Sequence, residues 1–180
     1  RALCGEYGLC LILDEVQSGM GRTGSMMTYF QFDIMPDIVC LAKALGCGVP
    51  VGAFVANKKY GDALVPGDHG STYGGNPFVC AAVSTVFDIY QNDHIVEKAH
   101  EAGMYLETKL NELEEKCSHV VGHRGLGLMQ GILLDEPNSS AYVQKALEAG
   151  LIVVSAGADV VRLLPPLIIT HKQIDEAMGI

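Results

Sequence analysis

Hydrophobic positions fall into two regimes along the chain. The first part holds short, continuous apolar runs. Gly8-Leu-Cys-Leu-Ile-Leu13 stops at Asp14-Glu15, and comparable runs cover Asp37–Leu41 and Val51–Ala56. Such runs are typical of strands buried on both faces, so strands are predicted over about Leu9–Leu13, Asp37–Leu41 and Val51–Ala56. Pro77 suits a first helical turn, and the helix it opens, Phe78 to Tyr90, is apolar nearly all round and expected to be buried. After Gln91-Asn92-Asp93 the pattern changes. Val96, Ala99, Gly103, Leu106, Leu110, Leu113 and Cys117 step by three and four, one face of a long amphipathic helix whose outer face carries a solvated run of Glu and Lys. Beyond Gly122, Gly125–Leu134 reads as one strand with glycine breaks. Ala141–Ala149 reads as a helix capped by Asn138 or Ser139, with Gly150 past its end. Leu151–Val154 and Val160–Leu164 read as strands, and Thr170 as the cap of a final helix. These elements predict two domains, 1–92 and 93–180, with a linker helix at about 94–117, and no internal repeat or low-complexity tract.

Composition narrows the function classes. The chain has 180 residues, 49% of them hydrophobic, and a formal charge of −9 from 12 basic and 21 acidic side chains. The acids are scattered and no basic stripe is visible, which argues against a nucleic-acid partner. No apolar run reaches membrane-span length and no signal-peptide pattern shows, so no membrane partner is expected. The six cysteines, Cys4, Cys10, Cys40, Cys47, Cys80 and Cys117, form no C-x-x-C pair. They read as small hydrophobes, Cys47 included, in a reducing, cytoplasmic compartment. The histidines show no metal-ligand spacing, and no metal is expected.

Candidate chemistry centres on Lys43, which follows an apolar strand and enters glycine-rich chain. Its neighbours Leu41, Ala42, Ala44 and Leu45 suggest a desolvated amine, nucleophilic once neutral; the bland alternative is a lysine snorkelling from a helix start. Asp14 ends a strand, where open α/β sheets bind ligands; the alternative is a turn cap. Gly70-Ser-Thr-Tyr-Gly-Gly-Asn-Pro77 offers the hydroxyls of Ser71 and Thr72 and backbone donors to a phosphate, or is a plain turn. Arg162 is a cation stranded among apolar residues in Val160–Ile169. It needs a partner, either a substrate carboxylate or an internal salt bridge. Arg22 and Arg124 read as structural. Together these residues meet the needs of pyridoxal 5'-phosphate, which requires a lysine, a carboxylate for its ring nitrogen and donors for its phosphate. Leu11-Ile-Leu-Asp-Glu15 also fits the Walker B strand of an ATPase, but no G-x-x-x-x-G-K-[ST] loop accompanies it.

Four segments carry a resemblance to class III (ornithine-type) aminotransferases. Asp14-Glu-Val-Gln17 with Gly21-Arg-Thr-Gly24 resembles the aspartate motif, and Ala42-Lys-Ala-Leu-Gly46 the Schiff-base lysine segment. His69-Gly-Ser-Thr-Tyr-Gly-Gly-Asn-Pro77 resembles the phosphate loop, and Val161-Arg-Leu-Leu-Pro-Pro-Leu167 the carboxylate-binding arginine segment. The resemblance implies the C-terminal part of a fold-type I, pyridoxal-phosphate-dependent α/β transferase: an incomplete large domain and a small α+β domain. It implies Lys43 as the Schiff-base lysine and proton shuttle, Asp14 on the ring nitrogen, Val16 against the ring and Gln17 at its phenolic oxygen. It further implies Ser71 and Thr72 at the phosphate of a neighbouring subunit, and Arg162 on the substrate carboxylate. The implied reaction moves an amino group between an amino acid and a 2-oxo acid, in a homodimer with shared active sites. Within the family, Ala42–Gly46 followed by Pro50-Val-Gly-Ala53 is most similar to enzymes acting on N-acetylornithine and 2-oxoglutarate; ornithine, succinylornithine and 4-aminobutyrate enzymes are the rivals. The segment that holds the phosphate at a helix N-terminus, and the aromatic residue that stacks on the ring, have no counterpart here. The chain is therefore expected to be a fragment, a non-catalytic remnant when alone.

Overall fold

The apolar run before Asp14 forms β1 (Ile12–Asp14), parallel to β2 (Ile38–Leu41); β3 (Ala53–Ala56) runs antiparallel to β2, giving the order β1-β2-β3. The computed structural model describes residues 1–180, which divide into two units: Arg1–Met20 with Ser25–His94, and Gly21–Gly24 with Ile95–Ile180. The first unit also holds α1 (Ala2–Glu6), α2 (Lys58–Gly61) and α3 (Pro77–Asn92).

β1 begins later than the apolar run predicts, because the backbone before it serves another purpose. The Leu11 N–H donates to the Asp37 carboxylate at 2.8 Å, while the Leu11 carbonyl accepts from the Asp37 and Ile38 amides. Asp37 is buried, and it also takes the Arg1 guanidinium at 2.7 Å and the Asn57 side-chain amide at 2.8 Å. One carboxylate thus joins the start of β2, the chain entering β1 and the end of β3.

Asn76 caps α3 by accepting from the Val79 N–H at 3.1 Å, with Pro77 at the first helical position, as its sequence predicts. The expectation that α3 is buried all round is not met. Val79, Val86 and Tyr90 are buried, but Phe78, Phe87 and Ile89 are exposed. The buried side is fixed by a polar contact, since the Tyr90 hydroxyl donates to the Met20 carbonyl at 3.0 Å. Apolar sequence on every face therefore does not mean that every face meets a neighbour.

The second unit is a four-stranded antiparallel sheet of order β4-β5-β7-β6, with α4 (Ile95–Lys116), α5 (Ser139–Glu148) and α6 (His171–Met178). Its strands are β4 (Val120–Leu126), β5 (Met129–Leu134), β6 (Val154–Ser155) and β7 (Val160–Leu163). The single strand expected over Gly125–Leu134 is instead the turn and second arm of a hairpin. Gly127 adopts φ +54, which reverses the chain between β4 and β5. The apolar face of α4 supplies Ala99, Ala102, Leu106 and Leu110 to a core completed by Leu128 and Ile174. Gly103 sits on that face because a Cβ there would lie 2.6 Å from Gly127 Cα, so helix and hairpin turn touch backbone to backbone. Thr170 caps α6 in a reciprocal capping box with Gln173, as read from sequence. Asn138 precedes α5 without a side-chain cap, and Ser139 instead donates to the Gly157 carbonyl at 2.8 Å. No helix is long and apolar enough to cross a membrane.

Arg1, the amide of Leu11 and Asn57 hold the Asp37 carboxyl below its ordinary pKa, the Arg1 hydrogen bond most of all. A carboxylate whose folded pKa is depressed contributes stability above the unfolded-state value and loses it as pH falls through the folded one. Asp37→Asn is therefore expected to lower the thermal midpoint at neutral pH. The gap from wild type should close below about pH 4, where unfolded aspartate takes up its proton. Calorimetric melts between pH 7 and pH 3 check this; a pH-independent gap would show that the charge contributes nothing.

Candidate active site

β1 and β2 are parallel neighbours, with Asp14 opposite Cys40. Both strands end at the same edge. Asp14 is the last residue of β1, and Lys43 opens a 3₁₀ turn (Lys43–Leu45) just beyond the last residue of β2. The sheet topology thus brings these two residues, 29 positions apart in sequence, to the carboxyl ends of adjacent strands, the usual place for ligands in α/β sheets.

The turn at Lys43 is tight. Its carbonyl accepts from the amides of Gly46 and Cys47, both at 3.1 Å, and Lys43 itself stands at φ +44. A non-glycine residue in the left-handed region carries strain that the surroundings must hold in place. Leu41 and Leu45, both buried, anchor either side, and Gly46 leaves no room for a Cβ, which would meet the Val49 carbonyl oxygen at 2.3 Å. The expected desolvation of Lys43 is not observed. Its flanking leucines turn inward and send the lysine outward, so its side chain is exposed, with no hydrogen bond or ion pair. The apolar neighbours serve as anchors of the turn; they do not bury the amine.

Asp14 is exposed, and one of its oxygens accepts the Val16 amide at 3.0 Å. This is the turn-capping bond that was the alternative reading, and it leaves the second oxygen available. Val16 is half-buried and Gln17 exposed. Ser71 and Thr72 are also exposed, and the Ser71 hydroxyl accepts the Gly74 amide at 2.9 Å, closing a turn ahead of Asn76. No hydrogen bond joins this loop to the Asp14 or Lys43 segments.

Arg162 lies on β7 of the second unit, half-buried, and its buried Nε has no partner. No internal salt bridge forms, so the demand of this cation is unmet within the chain. Arg22, in contrast, donates to the carbonyls of Leu128 at 3.2 Å and Pro165 at 2.5 Å, the structural role read for it. No set of three or more His, Cys, Asp or Glu side chains gathers as a candidate metal site.

Glu15 is a residue that motif reading passed over. It is buried, at 4% exposure, and its two carboxylate oxygens accept the amides of Thr28 at 2.7 Å and Tyr29 at 2.8 Å. The Glu15 amide continues the β1–β2 ladder by donating to the Cys40 carbonyl. Glu15 therefore closes the loop that carries Val16 and Gln17 onto the end of β1. Its only signal in sequence is an acid directly after an apolar strand, which Asp14 shares.

The family described as Aminotransferase class-III matches residues 1–180. The chain belongs to the class III aminotransferases. It is 46% identical over its whole length to an acetylornithine aminotransferase of Gloeobacter violaceus and 44% identical to one of Clostridium acetobutylicum, covering 45% and 46% of those proteins. Among solved structures it is similar to an acetylornithine aminotransferase from Elizabethkingia anophelis (TM-score 0.91, 35% identity). It is also similar to an ornithine delta-aminotransferase of Plasmodium falciparum (TM-score 0.91, 37% identity). These matches cover 99% of the chain and 46% of each structure. The class III chain thus spans slightly under half the length of the relatives it matches, and the fold is the corresponding part of a fold-type I α/β transferase.

Glu15→Ala would remove the carboxylate that accepts the amides of Thr28 and Tyr29. It is expected to destabilise the first unit by roughly 2–6 kcal/mol, at about 1–3 kcal/mol for each donor that loses its acceptor. Urea unfolding followed by tyrosine fluorescence measures this, and a change under about 0.5 kcal/mol would contradict the clamp.

Proposed function

We propose that this chain carries the lysine and aspartate of a pyridoxal-phosphate-dependent transamination site, with N-acetylornithine as amino donor and 2-oxoglutarate as acceptor. The carrying observation is the meeting of Asp14 and Lys43 at the carboxyl ends of paired parallel strands. The residues fit the cofactor. Lys43 has a free, exposed Nζ on a strained and firmly anchored turn, and Asp14 keeps one carboxylate oxygen unengaged. The cofactor, when bound, supplies an electron sink for the bond-breaking step.

The protein's share is positioning and proton movement. Asp14 would face the cofactor ring nitrogen, where its negative charge would favour the protonated form. Lys43 would hold the cofactor through its Nζ, and the same amine, once free, would be the base for the substrate α-proton. Val16 would pack on the ring and Gln17 would donate to its phenolic oxygen. Ser71 and Thr72 serve a phosphate, that of a partner subunit in a homodimer with shared sites. Arg162 receives the substrate α-carboxylate. The acetylornithine relatives support the choice of donor; direct comparison of N-acetylornithine with ornithine decides between the two. The free cysteines suit a cytoplasmic setting. Family membership removes the grounds for the Walker-type reading.

Incubating the chain with pyridoxal 5'-phosphate and reducing with borohydride is expected to fix a pyridoxyl group on Lys43, found by peptide mass spectrometry. Lys43→Ala should abolish this label. Labelling of Lys58 or Lys59 in place of Lys43 would overturn the assignment.

A further inference from the structure

One residue holds the turn that follows β1. Each hydrogen-bonding group of Glu15 is engaged. Its amide donates to the Cys40 carbonyl at 3.0 Å, and its carbonyl accepts from the Gly19 amide at 3.0 Å. Its two carboxylate oxygens take the Thr28 and Tyr29 amides at 2.7 and 2.8 Å. The segment that supplies those amides has a second tie to the same turn, because the Thr28 hydroxyl donates to the Ser18 carbonyl at 2.8 Å. The turn closes tightly at Gly19, where a Cβ would lie 2.9 Å from the Glu15 carbonyl oxygen.

No cation takes part in this clamp, since Glu15 forms no ion pair. A buried carboxylate without a counter-charge is costly unless hydrogen bonds meet it, and here two backbone amides do. The arrangement needs two acceptors on one planar group. Glutamine has one, and would turn a donor toward the second amide. Aspartate has two, but its side chain is shorter by one C–C bond, about 1.5 Å, so it cannot reach both amides. The residues beside Glu15 are free in a way that it is not. Asp14 is exposed at the end of a strand of three residues, and its carboxylate is directed only by the Val16 amide at 3.0 Å. That amide follows Glu15 directly, so it can aim the Asp14 oxygens only while Glu15 fixes the backbone between them.

We propose that Glu15 is a positioning residue of the transamination site, which keeps the free oxygen of Asp14 aimed at the cofactor ring nitrogen by clamping the turn behind it. This rests on the proposed transamination reading. Glu15 is buried, at 4% exposure, and acts through Asp14 without touching a ligand. A group that acts on a ligand must be held within about 0.5 Å and 10–20° of its productive geometry. An exposed aspartate has no packing of its own to hold it so, and the clamp supplies the missing restraint.

Two readouts test this in variants whose β2 and β3 amide resonances show the fold intact. In the cofactor-free, ¹⁵N-labelled chain, the Val16 amide reports protonation of the carboxylate it bonds. It is expected to titrate in the wild type, to stop in Asp14→Asn, and to lose most of its amplitude in Glu15→Gln and Glu15→Asp. With pyridoxal 5'-phosphate ¹⁵N-labelled at the ring, the pH at which the ring nitrogen loses its proton is expected to fall by about one unit in both Glu15 variants, a tenfold loss of proton affinity, while borohydride still labels Lys43. Glu15→Asp keeps the charge, so wild-type behaviour in that variant would assign the effect to charge and overturn the positioning role. Should the Glu15 variants not fold, Thr28→Ala removes only the hydroxyl tie to Ser18 and is expected to move both readouts the same way by less. Unmoved readouts in folded variants that take the label overturn the role of Glu15. A wild-type chain that takes no label overturns the transamination reading on which that role rests.

Discussion

The Asp37 carboxylate is the constraint on which the first unit depends. A buried acid needs partners for all its lone pairs, and this one finds them in three separate segments: the Arg1 guanidinium, the Leu11 amide and the Asn57 side chain. By gathering these at the amino end of β2, it sets the register in which β1 and β2 run side by side. Register at one end determines what emerges at the other. With Ile12 opposite Ile38, Asp14 must fall opposite Cys40, and the turn of Lys43 must follow at the same edge. A slip of one residue would turn Asp14 to the opposite face of the sheet.

What could be read from sequence was whatever is local. Asp14, Lys43, Gly70–Pro77 and Arg162 each sit in a contiguous segment whose composition is odd for its surroundings, and oddness of that kind survives without coordinates. The caps at Asn76 and Thr170 were equally legible, because a side chain and an amide three residues on are all that a cap requires. What failed was whatever depends on distant partners. Glu15 looks like a second copy of Asp14 until Thr28 and Tyr29 fold back onto it. Gly125–Leu134 looks like one strand because the reversal at Gly127 is a matter of φ, and apolar composition runs straight through it. The expected burial of Lys43 inferred environment from neighbours in sequence, whereas alternate residues of a tight turn face opposite ways.

The second unit is organised by backbone contact more than by side-chain volume. Thr23 and Gly24 lie against Gly127, where a Cβ would come within 2.5 Å of the Thr23 carbonyl carbon, and Gly127 in turn lies against Gly103 of α4. Arg22 reinforces the stack by bonding Leu128 and Pro165. This explains why Gly21–Gly24, adjacent in sequence to the aspartate motif, belongs structurally with residues far downstream. Its glycines and arginine are needed for packing within that unit, and the Gly21-Arg-Thr-Gly24 pattern has a physical reason independent of any chemistry.

Burial divides the proposed machinery in the same way. Glu15, Asp37, Leu41 and Leu45, which shape the edge of the first sheet, are buried, while Asp14, Gln17, Lys43, Ser71 and Thr72, which would meet a ligand, are exposed. A group committed to internal bonds cannot also serve a ligand without losing them. A group left free contributes little to folding and so can be altered at small cost in stability. Arg162 is the exception, half-buried with an unmet donor. Its ladder bonds hold its backbone in β7 while its side chain has no counter-charge within the chain. A buried donor without a partner is unfavourable, and the proposed carboxylate would relieve that penalty. Arg162 shares this cost with His123 and Gln130, which also bury a polar atom without a partner, but it alone among the three carries a fixed positive charge.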